Sequence, residues 1–147
     1  MISLPLHDLP LKTQQRMGKK YVQDVVRKNW LILTPEEMVR QKLLYYLTRH
    51  LDYPPALIAV EKTIRVGSKN KRFDIVVFNK KTEPWMLIEC KRPEVEIDES
   101  VLHQLLNYHS SLQTRYWVLC NGISTFCADA THPQHIKWLE NLPVYDG

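Results

Sequence analysis

The chain has 147 residues, of which 44% are hydrophobic and 24% charged, a composition that indicates one folded domain and excludes a disordered or collagen-like chain. Its formal net charge of +4 is compatible with a polyanionic partner without identifying one. We expect no membrane span and no secretory signal, and the three widely spaced cysteines predict reduced thiols in a cytoplasmic protein.

The domain prediction treats residues 1–147 as one unit, with an N-terminal arm or accessory strands over 1–33 and a core over 34–128. Residues 1–20 are predicted to be extended, and 20–33 to hold one or two short strands. The chain has no internal repeat and no GxxxxGK[ST] motif, which argues against a self-contained NTPase or helicase.

The first predicted helix has the clearest start signal in the chain. Thr34 is placed at the N-cap, Pro35 at the first helical position and Glu37 three residues after the cap, which is the capping-box pattern. Apolar residues then recur at helical spacing, so the helix is predicted to run to about Leu51.

Three strands are predicted next. Residues 58–66 alternate between apolar and polar, with Val60, Ile64 and Val66 expected on one face. Residues 67–71 are read as a basic turn. The apolar runs 73–78 and 85–90 are typical of central strands covered on both faces.

The second half of the chain predicts a helix opening at 98–100, strands over 116–119 and 123–128, and a terminal helix over 133–142. A turn at Asn121-Gly122 is expected to separate the two strands. The apolar stripe of the helix is predicted from five residues: Val101, Leu102, Leu105, Tyr108 and Leu112. The whole order is that of a mixed α/β domain with a central sheet.

The residues that suggest chemistry lie on the two apolar strands. Successive side chains on a strand alternate faces, so Glu89 and Lys91 share a face and Cys90 points to the other. A hairpin symmetric about residues 81 and 82 pairs Val76 with Leu87. It pairs Phe78 with Trp85 and Asp74 with Glu89.

Two carboxylates placed opposite each other, about 4.5–5.5 Å apart at Cβ, repel each other and need a compensating charge. Mg²⁺ supplies one, since it typically takes one or two carboxylates and keeps several waters. Lys91 would then orient or deprotonate a water at the metal, or stabilise charge on a phosphate. The alternative is a solvated surface cluster of ion pairs, and a one-residue slip in register would remove the site.

The Asp…Glu-x-Lys pattern resembles the PD-(D/E)xK nuclease superfamily. The separated pieces between residues 30 and 127 more closely resemble the N-terminal nuclease domain of type I restriction enzyme R subunits. Those pieces are Thr34-Pro35-Glu36-Glu37, Val39-Arg40-Gln41, Tyr53-Pro54, Glu61, Arg72-x-Asp74-Ile75-Val76-Val77, Glu89-Cys90-Lys91, Gln104…Tyr108 and Asn121-Gly122. Phe73 stands where the superfamily name has Pro.

The resemblance implies a restriction-endonuclease-like core in α-β-β-β-α-β order, a central mixed sheet flanked by helices, and Mg²⁺- or Mn²⁺-dependent hydrolysis of DNA. Asp74 and Glu89 would be the metal ligands and Lys91 the catalytic lysine. Glu37 matches an acid of the first helix that often joins such sites, although a capping box already gives it a backbone partner.

Other residues enter as weaker candidates for catalysis or DNA contact. Gln41 lies one turn after Glu37, and Arg40 is expected to pair either with phosphate or with Glu36. Gln104 and Tyr108 share a face of the second helix, and in the related nucleases this pair lines the active-site side. The alternative for Tyr108 is a buried ring. Arg72 and Arg92 belong to basic runs suited to a phosphate backbone.

The leading hypothesis is therefore a metal-dependent endonuclease acting on DNA. The alternative is a non-catalytic nucleic-acid-binding or protein-interaction module on the same fold, and a nuclease of RNA or branched DNA also remains open. Cutting both strands of a duplex requires two sites, which suggests a homodimer or a partner restriction subunit.

Overall fold

The computed structural model describes all 147 residues and confirms the predicted mixed α/β architecture. The elements in chain order are β1 (Thr13–Arg16), β2 (Lys19–Gln23), β3 (Trp30–Ile32), α1 (Pro35–Tyr45), β4 (Ile58–Val66), β5 (Lys69–Phe78), β6 (Pro84–Cys90), α2 (Glu99–Tyr108), β7 (Tyr116–Cys120), β8 (Thr125–Asp129) and β9 (Lys137–Trp138). A π-helical turn over Tyr46–His50 extends α1, and a short 3₁₀ turn covers Pro55–Leu57.

A six-stranded sheet in the order β4-β5-β6-β7-β8-β9 forms the centre of the fold. Only β6 and β7 are parallel, and the other neighbours are antiparallel. Strands β1 to β3 form a separate antiparallel meander. From α1 to β7 the elements follow the predicted α-β-β-β-α-β order. Neither α1 nor α2 has the length and hydropathy needed to cross a membrane.

The sheet is buried on both faces, as the continuous apolar strands predicted. Alternate residues of β6 and β7 enter two separate clusters, which we call the first and second cores. Helix α1 packs Val39, Leu43 and Leu44 into the first core, and α2 packs Leu102 and Leu106 into the second. The three cysteines are buried, free thiols, in agreement with the sequence prediction.

The long β4–β5 hairpin changes faces partway along its length. Val60 and Ile75 belong to the first core, whereas Val66 and Phe73 belong to the second. Between them, Glu61 has a φ of +54°, a left-handed conformation that a residue with a Cβ rarely adopts. The prediction that Val60, Ile64 and Val66 share one face was therefore wrong, because this irregularity turns the outer part of the hairpin over.

The connection between β4 and β5 is shorter than the predicted basic turn over 67–71. The turn consists of Gly67 and Ser68, and β5 already begins at Lys69. Gly67 has a φ of +62°, which glycine adopts without strain. The basic residues that follow are therefore held on a strand.

Two predictions about helices need correction. Residues 133–142 form turns and the short strand β9, because Ile136 and Trp138 have the two-residue spacing of a strand and pack against the second core. The predicted stripe of α2 is also partly wrong. Leu102 and Leu106 are its buried residues, Tyr108 is exposed, and the helix ends before Leu112.

The N-terminal segment is packed against the domain. Ile2 forms a bridge with Thr125 and is buried, as is Leu6. Of residues 1–20, which are expected to be extended, Thr13–Arg16 forms β1 and Lys19 begins β2, both extended, whereas the residues before them pack against the domain and do not form a free arm. The strands expected between 20 and 33 are β2 and β3.

Candidate active site

The two predicted acids lie where β5 and β6 separate. Val76 pairs with Leu87, as predicted, and the ladder continues to Ile75 opposite Ile88. Extending this register by one residue sets Asp74 opposite Glu89. The predicted pairing of Phe78 with Trp85 was wrong, since a bulge after Val77 pairs Phe78 with Pro84, but it lies at the other end of the hairpin.

The carboxylate of Asp74 takes over a main-chain hydrogen bond at this point. Its Oδ2 accepts a 2.8 Å bond from the amide of Cys90, at the end of β6. The β4–β5 register holds on both sides of Asp74, but Asp74 and Glu61 are not themselves paired. Both ladders are therefore interrupted at Asp74, and the bond from Cys90 fixes one of its carboxylate oxygens.

Glu89 is a buried acid close to the charge of Asp74. The pKa of Glu89 is raised, first by burial and then by the negative charge of Asp74, against the opposing effects of Lys71 and Lys91. Lys71 Nζ lies 3.4 Å from Glu89 Oε1. The negative charge of Asp74 therefore disfavours the ionisation of Glu89, a condition that a bound cation relieves.

Lys91 begins the loop that follows β6. Its amide donates a 2.8 Å hydrogen bond to the carbonyl of Cys120, so the parallel pairing of β6 and β7 extends to this residue. The far side of the loop is held by Asn121, whose Nδ2 donates a 2.9 Å bond to the carbonyl of Val95. The backbone that carries Lys91 is thus fixed at both ends, next to Glu89.

Arg40 joins α1, β4 and β5 through carboxylates on these three elements. Its guanidinium forms hydrogen bonds with both carboxylate oxygens of Glu37, contacts Glu61 Oε1 at 2.9 Å, and lies 3.7 Å from Asp74 Oδ1. The side chain is only 10% exposed. Of the two predicted partners, phosphate and Glu36, the pairing with Glu36 is absent, and Arg40 instead contacts three acids that border the site.

Glu37 has a more specific role than helix capping. Its main-chain amide donates to Thr34 Oγ1, as the capping box predicts. Its carboxylate, however, accepts from Arg40 and from the side-chain Nε2 of Gln41 instead of bonding back to Thr34. Gln41 is fully buried and also donates to Asp24 Oδ2 and accepts from the amide of Val25. Both residues are part of an internal network that leads to Asp74.

Asp24, which the sequence analysis did not single out, ends this network. It is fully buried and accepts hydrogen bonds from the amides of Val26 and Arg27, from the guanidinium of Arg27 and from Gln41. Burial alone would raise the pKa of Asp24, but the hydrogen bonds from Arg27 and Gln41 outweigh it and lower the pKa. An aspartate before a turn is so common that Asp24 has no distinctive signal in the sequence.

We expect an Asp24→Asn variant to lose about 1–3 kcal/mol of unfolding free energy at pH 7, the usual cost of disrupting a buried hydrogen-bonded group. Because the folded-state pKa is lowered, the contribution of Asp24 is complete above its ordinary pKa of 3.8 and is lost as the pH falls through the folded value. Urea denaturation at pH 7 and near pH 3 measures both effects. The difference between the two proteins should shrink in acid, and an unchanged difference would contradict this account.

The other predicted residues lie on the surface. Gln104 is exposed on α2, and Tyr108, one turn later, is 71% exposed rather than buried. Arg72 is exposed with a guanidinium nitrogen 3.7 Å from Glu61, and Arg92 is exposed with its Nε 3.9 Å from Glu94. All four are accessible to a ligand, and none has an ion pair with Asp74 or Glu89.

Asp74 and Glu89 are a suitable donor pair for Mg²⁺. No cluster of three or more His, Cys, Asp or Glu side chains is arranged to hold a metal ion. Mg²⁺, however, typically takes only one or two carboxylates and keeps several waters. Asp74 Oδ1 and Glu89 Oε1 have cationic neighbours at 3.7 and 3.4 Å, longer than strong charged hydrogen bonds, so these oxygens remain able to bind a cation.

Comparison with known proteins identifies the family of the chain and a solved structure with a similar fold. Residues 35–143 match the family described as the N terminus of the type I restriction enzyme R protein. The fold is similar to the crystal structure of a candidate nuclease of the DUF820 group from Anabaena variabilis. The alignment covers 93% of this chain and 85% of that one, with a TM-score of 0.51 and 13% sequence identity. Among curated proteins no match is found.

Proposed function

Because the chain belongs to the family of the type I restriction enzyme R protein N terminus, we propose that it is a metal-dependent nuclease that hydrolyses DNA phosphodiester bonds. The observation that carries the proposal is the meeting of Asp74 and Glu89 at the point where β5 and β6 separate, with Lys91 on the adjoining loop. These are the residue types that phosphodiester hydrolysis requires in one place.

Asp74 and Glu89 would hold the metal, Mg²⁺ or Mn²⁺. When bound, the metal would lower the pKa of a water and neutralise charge on the phosphate. Lys91 would accept a proton from the attacking water at Nζ or, when protonated, would stabilise the charge that develops on the phosphate oxygens. The Cys90 amide and Arg40 keep the carboxylate of Asp74 in position for this role.

Glu37 and Gln41 would act on the reaction indirectly. Glu37 is bound to Arg40 and Gln41 is bound to Asp24, and both residues are buried at the junction of α1 and the β2–β3 loop. Arg72, Arg92, Gln104 and Tyr108 are exposed and would contact the DNA. A duplex cut on both strands requires two sites, so a homodimer or a partner restriction subunit is part of the proposal.

One observation favours the alternative of a non-catalytic binding module. Each acid already has a cationic partner within the chain, Arg40 for Asp74 and Lys71 for Glu89. Such pairing reduces the need for a bound metal. Under this alternative the protein binds nucleic acid or a protein partner without cleaving anything.

Cleavage assays with and without metal distinguish the two proposals. We expect the protein to degrade plasmid, single-stranded or branched DNA in Mg²⁺ or Mn²⁺ and to leave all three intact in EDTA. A Lys91→Ala protein purified in the same way controls for contaminating nucleases. Cleavage that does not require metal, or that is equal for the wild-type and Lys91→Ala proteins, would contradict the nuclease proposal. DNA binding without cleavage in every condition would favour the non-catalytic binding module.

A further inference from the structure

A cavity of about 420 Å³ lies between the β4–β5 turn and the end of α2. The residues that line it include Ser68, Lys69, Asn70, Lys71, Tyr108 and Ser111. No Asp or Glu is among the residues that line this cavity, whereas two lysines are. It is therefore a positively charged concavity with additional hydrogen-bonding side chains, suited to a polar anion.

The rim of the cavity carries an exposed aromatic ring. Tyr108 is 71% exposed, and Lys69 Nζ lies 5.6 Å from the centroid of its ring. An exposed ring contributes nothing to the core, but it offers a flat face on which a base can stack, while a neighbouring lysine can bind the adjacent phosphate. The pairing of ring and cation is the combination used to bind unpaired nucleotides.

Lys71 connects this cavity to the acidic site. Its side chain lines the cavity, its Nζ lies 3.4 Å from Glu89 Oε1, and it lies 5.4 Å from the centroid of the Phe73 ring. Lys71 thus lies between Glu89 and a DNA strand bound in the cavity. The face change at Glu61 brings the outer hairpin, and with it Lys69 and Lys71, to the side of the sheet covered by α2.

We propose that the cavity binds an unpaired nucleotide of the DNA strand next to the bond to be cleaved. The preferred substrate is then single-stranded DNA or a duplex with a frayed end or flap. A base within a duplex is stacked on both sides and paired, and cannot reach Tyr108 without being extruded. In the bound strand, the base stacks on Tyr108, Lys69 and Lys71 bind the flanking phosphates, and Ser68, Asn70 and Ser111 face the base edge.

The proposal rests on the proposed function only in taking DNA as the ligand, so it is tested without cleavage. Fluorescence anisotropy in EDTA compares labelled oligothymidylate with the same strand in an oligo(dA)·oligo(dT) duplex. We expect the single strand to bind at least tenfold more tightly. A Tyr108→Ala substitution should weaken single-strand binding roughly fivefold to 150-fold, the range for loss of one stacked base, whereas Tyr108→Phe should not.

Tyr45 provides the matched control, since Arg49 lies 5.9 Å from the centroid of its ring on α1, away from the cavity. Tyr45→Ala should leave single-strand binding unchanged. Lys69→Ala should reduce the slope of log affinity against log salt by about 0.7, as expected when one phosphate contact is lost. Circular dichroism verifies that each variant is folded.

Equal or tighter binding of the duplex, an unaffected Tyr108→Ala protein, or no binding of any DNA in EDTA would each overturn the proposal. Its outcome is separate from that of the nuclease proposal. If single-strand binding depends on Tyr108 but no DNA is cleaved in Mg²⁺, the nucleotide-binding proposal stands and the nuclease proposal is wrong. If duplex DNA is cleaved in a metal-dependent reaction that the Tyr108→Ala substitution does not affect, the nuclease proposal stands and the nucleotide-binding proposal is wrong.

Discussion

Replacing Glu89 with glutamine is expected to lower the rate of DNA cleavage on the order of 10²–10³-fold while making the metal-free protein more stable. The loss of activity follows if the carboxylate holds the metal, because an amide provides no charge to bind the cation or to stabilise the transition state. The gain in stability follows because the carboxylate of Glu89 is unfavourable in the folded protein: burial, and then the nearby charge of Asp74, raise its pKa.

The sign of the effect on stability follows from the direction of that pKa shift. A raised folded-state pKa means that the folded protein holds the proton more tightly, so stability falls as the pH rises from the ordinary pKa of 4.5 through the folded value. At pH 7 glutamine removes this cost, and we expect a gain of about 1 kcal/mol, within the range seen when a functional site is relieved of unfavourable charge.

Urea denaturation in EDTA and initial cleavage rates in Mg²⁺ measure the two effects on the same preparations. Glu83→Gln, on the exposed β5–β6 loop, is the matched control and should change neither quantity. If Glu89→Gln were less stable than the wild-type protein, Glu89 would be a structural partner of Lys71 rather than an acid retained for function.

Replacing Arg40 with methionine is expected to destabilise the fold by about 3–5 kcal/mol, the usual result of removing one member of a buried ion pair. The loss leaves Glu37 with only Gln41 as a partner, and deprives Glu61 and Asp74 of a shared cation. The remaining carboxylates then repel one another in a partly dehydrated site.

Arg92→Met is the control for this effect, because Arg92 has a single carboxylate neighbour at 3.9 Å and a side chain that is 63% exposed. Its loss should cost less than 1 kcal/mol. Arg40→Lys retains the charge but not the planar fork and should be intermediate. Equal midpoints of urea denaturation for the Arg40 and Arg92 variants would show that the network contributes nothing to stability.

The opposition of Asp74 and Glu89 was predictable because it depends on local information. Two apolar runs joined by a short loop allow few registers, because the length of the loop limits how the strands can pair. The bulge at Phe78 shifts the pairing at the loop end of the hairpin away from the predicted one, but Val76 still pairs with Leu87 as predicted. The helix caps at Thr34 and Asp98 were equally local, since each is a side chain that binds an amide three residues away.

The environment of the acids was not predictable in the same way. Nothing local distinguishes Glu61 from any other polar residue of an alternating strand, yet its left-handed backbone changes the face of the hairpin. Asp24 lies 50 residues before Asp74 and is connected to it through other side chains, one route being Gln41, Glu37 and Arg40. The segment over 133–142 contains enough apolar residues for a helix, but two of its residues pair with β8 as the short strand β9 and the rest form turns and irregular structure.

The single parallel pair in the sheet has a consequence for how the molecule reaches its native state. β4, β5 and β6 follow one another as hairpins and can pair through short loops, but β7 meets β6 only after the chain has crossed the sheet by way of α2. Closing that longer loop costs chain entropy before any contact offsets it. We therefore expect the β6–β7 contact, which also fixes the amide of Lys91, to form late, so that the acids come together before the lysine beside them is secured.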